Sequence, residues 1–245
     1  DNVTSHVAVS GTENLTSLTL TNAGVSTMPC PRLQELHWNC ETLSDETLPF
    51  PINTLTTLSK LDVETNNIDP DFPFPTQLQS LGLDVRDESV DVARLTPLTH
   101  LHTLVVAIKQ GHHPLDLSRL TTLTVLNINH SPFSQLPTSL LGLNVSMRSD
   151  ADFSPLTNLT SLTLFVTPNL RVTFPTRLKD LCITDGFLGE SNITDVALET
   201  FERFPSHPIT QNELERLPKT LKKIYGVIEP EPLEHVKEMF PLLKF

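Results

Sequence analysis

The histidines are the first residues of this 245-residue chain whose type and spacing could do chemistry. His100 and His102 are separated by one residue at the start of a predicted strand, where alternate side chains point the same way and could converge on a metal ion. No carboxylate or cysteine joins them at a ligand spacing, and His112 and His113 follow in the next predicted loop. We therefore expect exposed histidines that bind no metal.

The cysteines favour neither a metal site nor a disulfide framework. Cys30 and Cys40 are separated by nine residues, whereas zinc ligands usually come in pairs two to four residues apart. Cys182 is the third cysteine, and an odd, sparse set is not typical of a disulfide-stabilised fold. We expect buried or unreactive thiols.

Motifs and charge exclude several classes of function. The sequence contains no Gly-x-Ser-x-Gly, no phosphate-binding Gly-rich loop and no His-Glu-x-x-His, so we expect neither an enzyme nor a cofactor. The formal net charge of −12 argues against nucleic acid as a partner, because phosphate binding needs clustered Lys and Arg. No run of 18 apolar residues exists, so no membrane span is expected.

The cellular compartment is open to two interpretations. Because the first residue is Asp1, not Met, we expect a processed or trimmed start, which leaves a targeting segment upstream open. The sparse cysteines favour a cytoplasmic protein. The Asn-x-Ser/Thr sequons are a weak signal for secretion, because several are expected by chance in a chain this rich in Thr and Ser. They lie at Asn2, Asn14, Asn129, Asn144, Asn158 and Asn192.

The composition is skewed towards two residue types, and a repeat explains the skew. The chain has 41 Leu and 31 Thr, with 20 Pro against 8 Gly. A Leu-x-x-Leu-x-apolar motif recurs ten times, and its middle leucine recurs every 17 to 25 residues in the first nine units. The middle positions are Leu18, Leu36, Leu61, Leu81, Leu104, Leu126, Leu143, Leu162, Leu181 and Ile224. The last interval, 43 residues, is long enough for two units.

Each motif predicts one short strand of a stacked array. Its alternation sends two side chains to one face and those between them to the other, which is the pattern of a half-buried strand. A lone unit cannot bury its leucines, so they leave water only by stacking on neighbouring units. Trp38 occupies one of these inward positions and is predicted to lie in the core. Pro and Thr dominate the connections, which favours extended return segments.

These motifs resemble the leucine-rich-repeat family over residues 13–228, and residues 58–68 come nearest to the full family pattern. A Leu-Thr type of repeat (Leu120-Thr121-Thr122-Leu123) mostly alternates with a Pro type (Phe174-Pro175-Thr176-Arg177-Leu178), which looks like short repeats of some bacterial effectors and protist proteins. The resemblance implies an α/β-type repeat solenoid, a leucine-rich-repeat horseshoe with a parallel concave sheet and irregular convex segments. Only Asn66 keeps the family's asparagine, so we expect irregular turns.

The repeat predicts a single solenoid domain over residues 1–245. Its parts are an N-terminal edge strand or cap over 1–12, nine repeats over 13–192, a helix-containing insertion or irregular repeat over 193–216, a tenth repeat over 217–228, and a capping helix or the start of a further repeat over 229–245.

The ends of the array are predicted to carry helices. Apolar residues from Ile193 to Phe204 follow a helical period, so an amphipathic helix is expected over 193–204. A second helix is expected near Pro232, with Leu233 and Val236 among its inward residues. Either helix would cover an exposed terminal leucine layer, and a partner-docking role is the alternative.

The resemblance also implies which residues face a partner, because the positions flanking the inward residues of each strand point to solvent on the concave side. An acidic patch, formed by Glu35, Asp62, Glu64 and Asp84 with Lys60 alone against it, would attract a basic segment. The candidate apolar anchors are Val105, Ala107, Ile108, Phe165 and Val166. The candidate partner-binding residues are Glu35, His37, Asp62, Glu64, Asp84, Val105, Ala107, Asn127, Asn129, Asn144, Phe165 and Tyr225.

The function implied by this resemblance is a non-enzymatic module that binds a protein partner through its concave face. Two alternatives stay open. One is the recognition or regulatory arm of a larger enzyme, such as a ubiquitin ligase or phosphatase complex. The other is a secreted or surface adhesion glycoprotein. The sequence indicates no oligomeric state.

Overall fold

A computed structural model describes most of the chain, and its contacts divide the chain into two compact units, Asp1–Pro137 and Thr138–Phe245. We call these unit 1 and unit 2. The described residues are 13–21, 30–40, 52, 55–66, 68, 72–86, 92–108, 114–129, 132–166, 170–184, 188–204, 208–228 and 233–243. The predicted N-terminal edge strand over 1–12 lies outside them. The prediction of a single domain stays a prediction.

Unit 1 is built on parallel strands that hydrogen-bond in chain order, one for each predicted motif. They are β1 (Ser17–Thr21), β2 (Glu35–Cys40), β3 (Lys60–Thr65), β4 (Ser80–Val85), β5 (Thr103–Ile108) and β7 (Val125–Asn129). A second, two-stranded parallel sheet joins β6 (Leu115–Asp116) to β8 (Phe133–Gln135), and a 3-10 turn spans Val92–Leu95.

The strands stack in register because the leucine pattern repeats. Leu36 pairs with Leu61, and Leu61 in turn pairs with Leu81, so identical positions lie side by side. These inward leucines are buried, and each contributes roughly 2 kcal/mol of hydrophobic stabilisation. Trp38, at an inward position of β2, is 1% exposed, which confirms the prediction that it belongs to the core.

Hydroxyl groups in the return segments join several repeats to the one before. In unit 1 the Thr122 hydroxyl, one residue before the first leucine of its motif, donates to the Leu101 carbonyl at 2.9 Å. Thr57 donates to the Leu33 carbonyl at 2.7 Å from the same position. These bonds satisfy backbone carbonyls of the preceding repeat, and they give some of the many threonines a structural role.

Unit 2 continues the same plan with five parallel strands of its own. They are β9 (Gly142–Met147), β11 (Ser161–Val166), β13 (Asp180–Ile183), β15 (Thr200–Arg203) and β16 (Lys223–Tyr225). A separate three-stranded parallel sheet is formed by β10 (Ala151–Asp152), β12 (Leu170–Thr173) and β14 (Leu188–Ser191). A 3-10 turn spans Ile193–Asp195, and the helices are α1 (Gln211–Arg216) and α2 (Leu233–Met239).

The predicted amphipathic helix over 193–204 is wrong. Only Ile193–Asp195 is helical, as a 3-10 turn, and Thr200–Arg203 forms β15, which pairs with β13 and β16. In addition to the ten strands predicted from the motif, the described residues therefore contain an eleventh strand of the same kind, β15, with Phe201 in the place of a middle leucine. The pattern was hidden because an arginine, Arg203, follows at the next inward position, where all other units but the last carry an apolar residue.

The second predicted helix is confirmed, since α2 begins directly after Pro232. Val236, Met239 and Phe240 at its end are buried. The Lys219 ammonium lies 5.8 Å from the centre of the Phe240 ring, so the end of this helix packs beside the last repeat. We propose that α2 caps the leucine layer of unit 2.

Candidate functional site

The candidate site is the outward face of the parallel sheet, taken separately in each unit. In unit 1 the register aligns the outward residues in rows that run across the strands. The middle row contains Thr19, His37, Asp62, Gly82, Val105 and Asn127. The next row contains Thr21, Asn39, Glu64, Asp84, Ala107 and Asn129.

The acidic patch on this face carries more countercharge than the sequence indicates. The Lys60 ammonium lies 3.3 Å from the Asp62 carboxylate, and His37 Nδ1 lies 3.9 Å from the same group. Arg86, one residue past the end of β4, lies 4.0 Å from Glu64. The prediction that Lys60 alone opposes these acids is therefore wrong. Such solvent-accessible pairs stabilise the fold by at most about 1 kcal/mol each, so their main effect is to restrain the positions of the acidic side chains.

Gly82 allows the Asp62 carboxylate to lie across the neighbouring strand. A Cβ atom added at Gly82 would come closer to Asp62 Oδ1 than real Cβ contacts allow. The glycine thus gives the carboxylate its place in the middle row, next to Val105. Asn39 Nδ2 donates to Glu64 Oε2 at 2.9 Å in the following row. The acids are held in position by their neighbours.

An apolar area adjoins the acids on the next two strands of unit 1. Val105 and Ala107 are half-buried, and Val125 is 45% exposed. Gly82 pairs with Val105 and Asp84 with Ala107, so the charged and apolar areas share a boundary between β4 and β5. Ile108, a predicted exposed anchor, is buried, because it occupies an inward position of β5. That prediction is wrong.

Unit 2 has an outward face of different chemistry. Its middle row contains Asn144, Thr163, Cys182, Glu202 and Tyr225. Phe165 is 37% exposed and Tyr225 is 51% exposed, in keeping with their predicted outward positions, whereas the Val166 side chain lies outside the described residues. Phe204, which the sequence predicted on the inward face of a helix, is 53% exposed directly after β15.

The asparagines of the candidate site are less accessible than the sequence suggests. Asn127, Asn129 and Asn144 are half-buried. The Oδ1 atoms of Asn127 and Asn144 are inaccessible, and within the described residues neither accepts a hydrogen bond. We conclude that these two oxygens cannot meet a partner without a rotation of the amide.

The histidines and cysteines form no catalytic arrangement. His100 and His102 are exposed, and His102 Nδ1 lies 2.5 Å from the His100 carbonyl oxygen, while His112 and His113 are outside the described residues. Burial, with a smaller contribution from the charge of Glu202, raises the pKa of the Cys182 thiol to about 11, so it is not a reactive thiolate at neutral pH. Over the ranges that the structure describes, no group of three His, Cys, Asp or Glu residues is arranged to hold a metal ion.

A buried ion pair in unit 2 could not be predicted from the sequence. Arg203 Nη1 donates to Glu213 Oε1 at 2.9 Å, and the arginine side chain is 1% exposed. Glu213 Oε2 also accepts from the backbone nitrogen and the hydroxyl of Thr210. The Thr210 hydroxyl oxygen in turn accepts from the Glu213 backbone nitrogen, which completes the capping box of α1. The pair borders a cavity of about 20 Å³, which has room for a single water molecule. Such a space is too small for a substrate.

Comparisons with known proteins support the fold. No protein-family model matches the chain, and no curated protein matches it. Among solved structures, the chain is similar to an internalin, InlF, of Listeria monocytogenes, with 15% identity over 95% of this chain and 86% of that chain and a TM-score of 0.53. It is also similar to a leucine-rich-repeat protein of Leptospira interrogans, with 14% identity over 96% of each chain and a TM-score of 0.41, which is too low to support an argument.

The predicted fold class, a leucine-rich-repeat solenoid with a parallel sheet and few helices, is confirmed by the strand order and by the internalin likeness. At 15% identity this likeness concerns the fold alone. In the part of the chain that is described, no helix has the length and apolar character to cross a membrane.

Proposed function

We propose that this protein is a non-enzymatic module that binds a protein partner through the outward face of its parallel strands, which the sequence predicts to be concave. One observation supports the proposal above others. In unit 1, half-buried acids and exposed or half-buried apolar residues share a boundary between β4 and β5 on a face that fills no core. Exposed apolar residues beside positioned charges are typical of contact surfaces.

The chemistry of this boundary favours a partner with a basic residue next to an apolar one. Unit 1 contains 15 acidic residues against 6 Lys and Arg, a formal net charge of −9, so its field attracts cationic segments. Asp62 and Glu64 would receive the basic residue, and Val105 with Ala107 would contact the apolar one. Electrostatic attraction of this kind mainly raises the association rate and the specificity.

The test is capture of the natural partner by the native protein, followed by the same capture with charge variants. We expect the double change Asp62→Lys and Glu64→Lys to weaken capture, and Phe165→Asp to do the same if the partner also reaches unit 2. The matched control is Glu215→Lys with Glu238→Lys, which makes the same change in charge at exposed positions on α1 and α2. Unchanged capture by both test variants would place the contact elsewhere.

A second candidate, a secreted or surface adhesion glycoprotein, is favoured by two exposed sequon residues. Asn14 and Asn158 are exposed, although each makes one side-chain hydrogen bond, to Arg32 and to the Thr138 carbonyl. Asn192 is less suitable, because its amide bonds the backbone of Phe174 in both directions. Mass spectrometry of native protein decides the question, since unmodified Asn14 and Asn158 would remove this support. The alternative of a recognition arm in a larger enzyme is tested by the sequence that flanks these residues in the parent protein.

A further inference from the structure

Exposed apolar side chains lie at the ends of three strands of unit 2, β11, β15 and β16, while β13 between them has the buried Thr184 at the corresponding position. We define the apolar stripe as Phe165, Phe204, Tyr225 and Val227. Phe204 and Val227 are 53% and 52% exposed, and each follows within two residues of the end of its strand, β15 or β16. By register Glu202 pairs with Tyr225, so Phe204 and Val227 follow at corresponding positions of neighbouring strands.

Backbone hydrogen bonds hold the strand ends that carry Phe204 and Val227. The Phe204 nitrogen donates to the Ile183 carbonyl at 3.2 Å, and the Val227 carbonyl accepts from the Ile209 nitrogen at 2.7 Å. Gly226, between Tyr225 and Val227, has φ of +142°, and an added Cβ would lie 3.0 Å from the Arg203 carbonyl oxygen. Only glycine permits this close approach, which brings the end of β16 against β15.

A carboxylate that forms no ion pair within the described residues adjoins the stripe. Glu202 is exposed on the outward face between Cys182 and Tyr225, and no ion pair forms at it within the described residues. Lys222 and Lys179, in contrast, pair with Glu199 at 2.8 and 3.5 Å. A partner that covers the stripe would therefore gain from a Lys or Arg placed against Glu202.

The spacing of the stripe matches one kind of secondary structure. Neighbouring strands lie about 4.8 Å apart, so Phe165 lies roughly 10 Å from Phe204 and 15 Å from Val227 along the row. A helix laid across the strands advances about 5.4 Å per turn, so its residues i, i+7 and i+11 would lie opposite Phe165, Phe204 and Val227, while i+3 or i+4 would lie over β13, where Thr184 is buried. The side chains on one face of an extended segment repeat every ~6.8 Å, which does not match the spacing of the strands.

We propose that unit 2 binds a cationic amphipathic helix of a protein partner on the apolar stripe, with Glu202 as its acidic contact. This assignment rests on the proposed function, because it names the class of segment that unit 2 takes within a general protein-binding role.

The test uses a displayed library of 16-residue peptides, half with apolar residues at helical spacing and half with strict alternation, selected on the full chain. Helical peptides that carry Lys or Arg should be enriched. Their affinity should fall about tenfold or more with Phe204→Ser or Tyr225→Ser, as for anchor residues. Leu141→Ser, a change at an exposed leucine of unit 2 outside the stripe, is the matched control and should alter affinity less than about twofold. Glu202→Gln should weaken only the peptides with Lys or Arg.

The chain itself supplies a direct readout. Tyr225 is its single tyrosine and Trp38 its single tryptophan, so ring resonances of the two residues report on the stripe and on the unit 1 core respectively. Peptide binding should shift the ring resonances of Tyr225 and leave those of Trp38 unchanged. Enrichment of alternating peptides, absence of any enrichment, or equal loss with Leu141→Ser would overturn the proposal. If any one of these outcomes occurs while Asp62→Lys with Glu64→Lys still weakens capture of the natural partner, the proposed function stands and the stripe assignment alone fails.

Discussion

Units 1 and 2 are built on the same repeat and carry different side chains on their outward faces. The outward face of unit 1 carries acids restrained by Lys60 and Arg86, whereas that of unit 2 carries hydroxyl groups and exposed aromatic rings. Unit 2 contains 14 acidic against 11 basic residues, so its net charge of −3 is a third of that of unit 1. The inward positions must fill a leucine layer, but the outward positions have no such constraint. A single repeat can therefore carry outward faces of different composition.

The largest expected effect on stability concerns Arg203, the charged residue at an inward position of unit 2. Arg203→Ala leaves the Glu213 carboxylate without its cation, and Glu213 is 17% exposed, so we expect a loss of roughly 3 kcal/mol in the free energy of unfolding. Urea denaturation measures it. The double variant Arg203→Met with Glu213→Gln should recover most of the loss. A loss below about 1 kcal/mol for Arg203→Ala would show that the pair is not needed in unit 2.

A smaller effect tests whether the two units have the same internal joints. Thr122→Val in unit 1 and Thr220→Val in unit 2 each remove a hydroxyl that donates to a leucine carbonyl of the preceding repeat, at 2.9 and 2.8 Å. We expect each change to cost about 1 kcal/mol by urea denaturation. Thr121→Val is the control, since the exposed Thr121 hydroxyl makes no hydrogen bond within the described residues. Unequal losses would contradict a common scaffold.

The acidic face of unit 1 can be altered without touching its core. Gly82→Ala should displace the Asp62 carboxylate, which is the flexible end of a side chain, so the loss of stability should stay below about 1 kcal/mol. The coupling between Lys60 and Asp62, measured in a double-mutant cycle with Lys60→Met and Asp62→Asn, should disappear in the Gly82→Ala background. Persistence of the coupling would mean that Gly82 does not set the position of Asp62.

The smallest effect concerns pH and unit 2. A hydrogen bond from Lys222, with the charges of Lys222 and Lys179, lowers the pKa of Glu199 below its ordinary 4.5. A lowered folded-state pKa contributes stability above the unfolded-state value and loses it as the pH falls through the folded-state value. The stability difference between wild type and Glu199→Gln should therefore shrink between about pH 5 and pH 3. Glu215→Gln is the control, and a constant difference over this range would contradict the prediction.

The sequence predicts the repeating part of the fold well, because one spacing rule governs it. Every strand with Leu-x-x-Leu-x-apolar was placed correctly, since inward positions obey the period of a strand. The eleventh strand was missed because Phe201 and Arg203 break the leucine rule and the preceding residues happen to fit a helical period. Phe204 was misplaced for the same reason.

The candidate site is less predictable, because its contacts depend on neighbours that are distant in the sequence. Arg86 reaches Glu64 across 22 positions, and no local pattern marks that pair. Ile108 was taken as outward although it alternates with Ala107 and so points inward. The ion pair of Arg203 needs a helix that begins eight residues later. Whether any of these residues contacts a partner stays a prediction.

The hydroxyl bonds of the return segments also share one direction along the chain. Thr57, Thr122 and Thr220 each donate to a carbonyl that lies 21 to 24 positions earlier in the chain. When the chain leaves the ribosome from its N-terminus, each new turn therefore meets an acceptor that has already been synthesised. Within each unit, an earlier turn can therefore offer its carbonyl groups to the next turn as soon as that turn is synthesised.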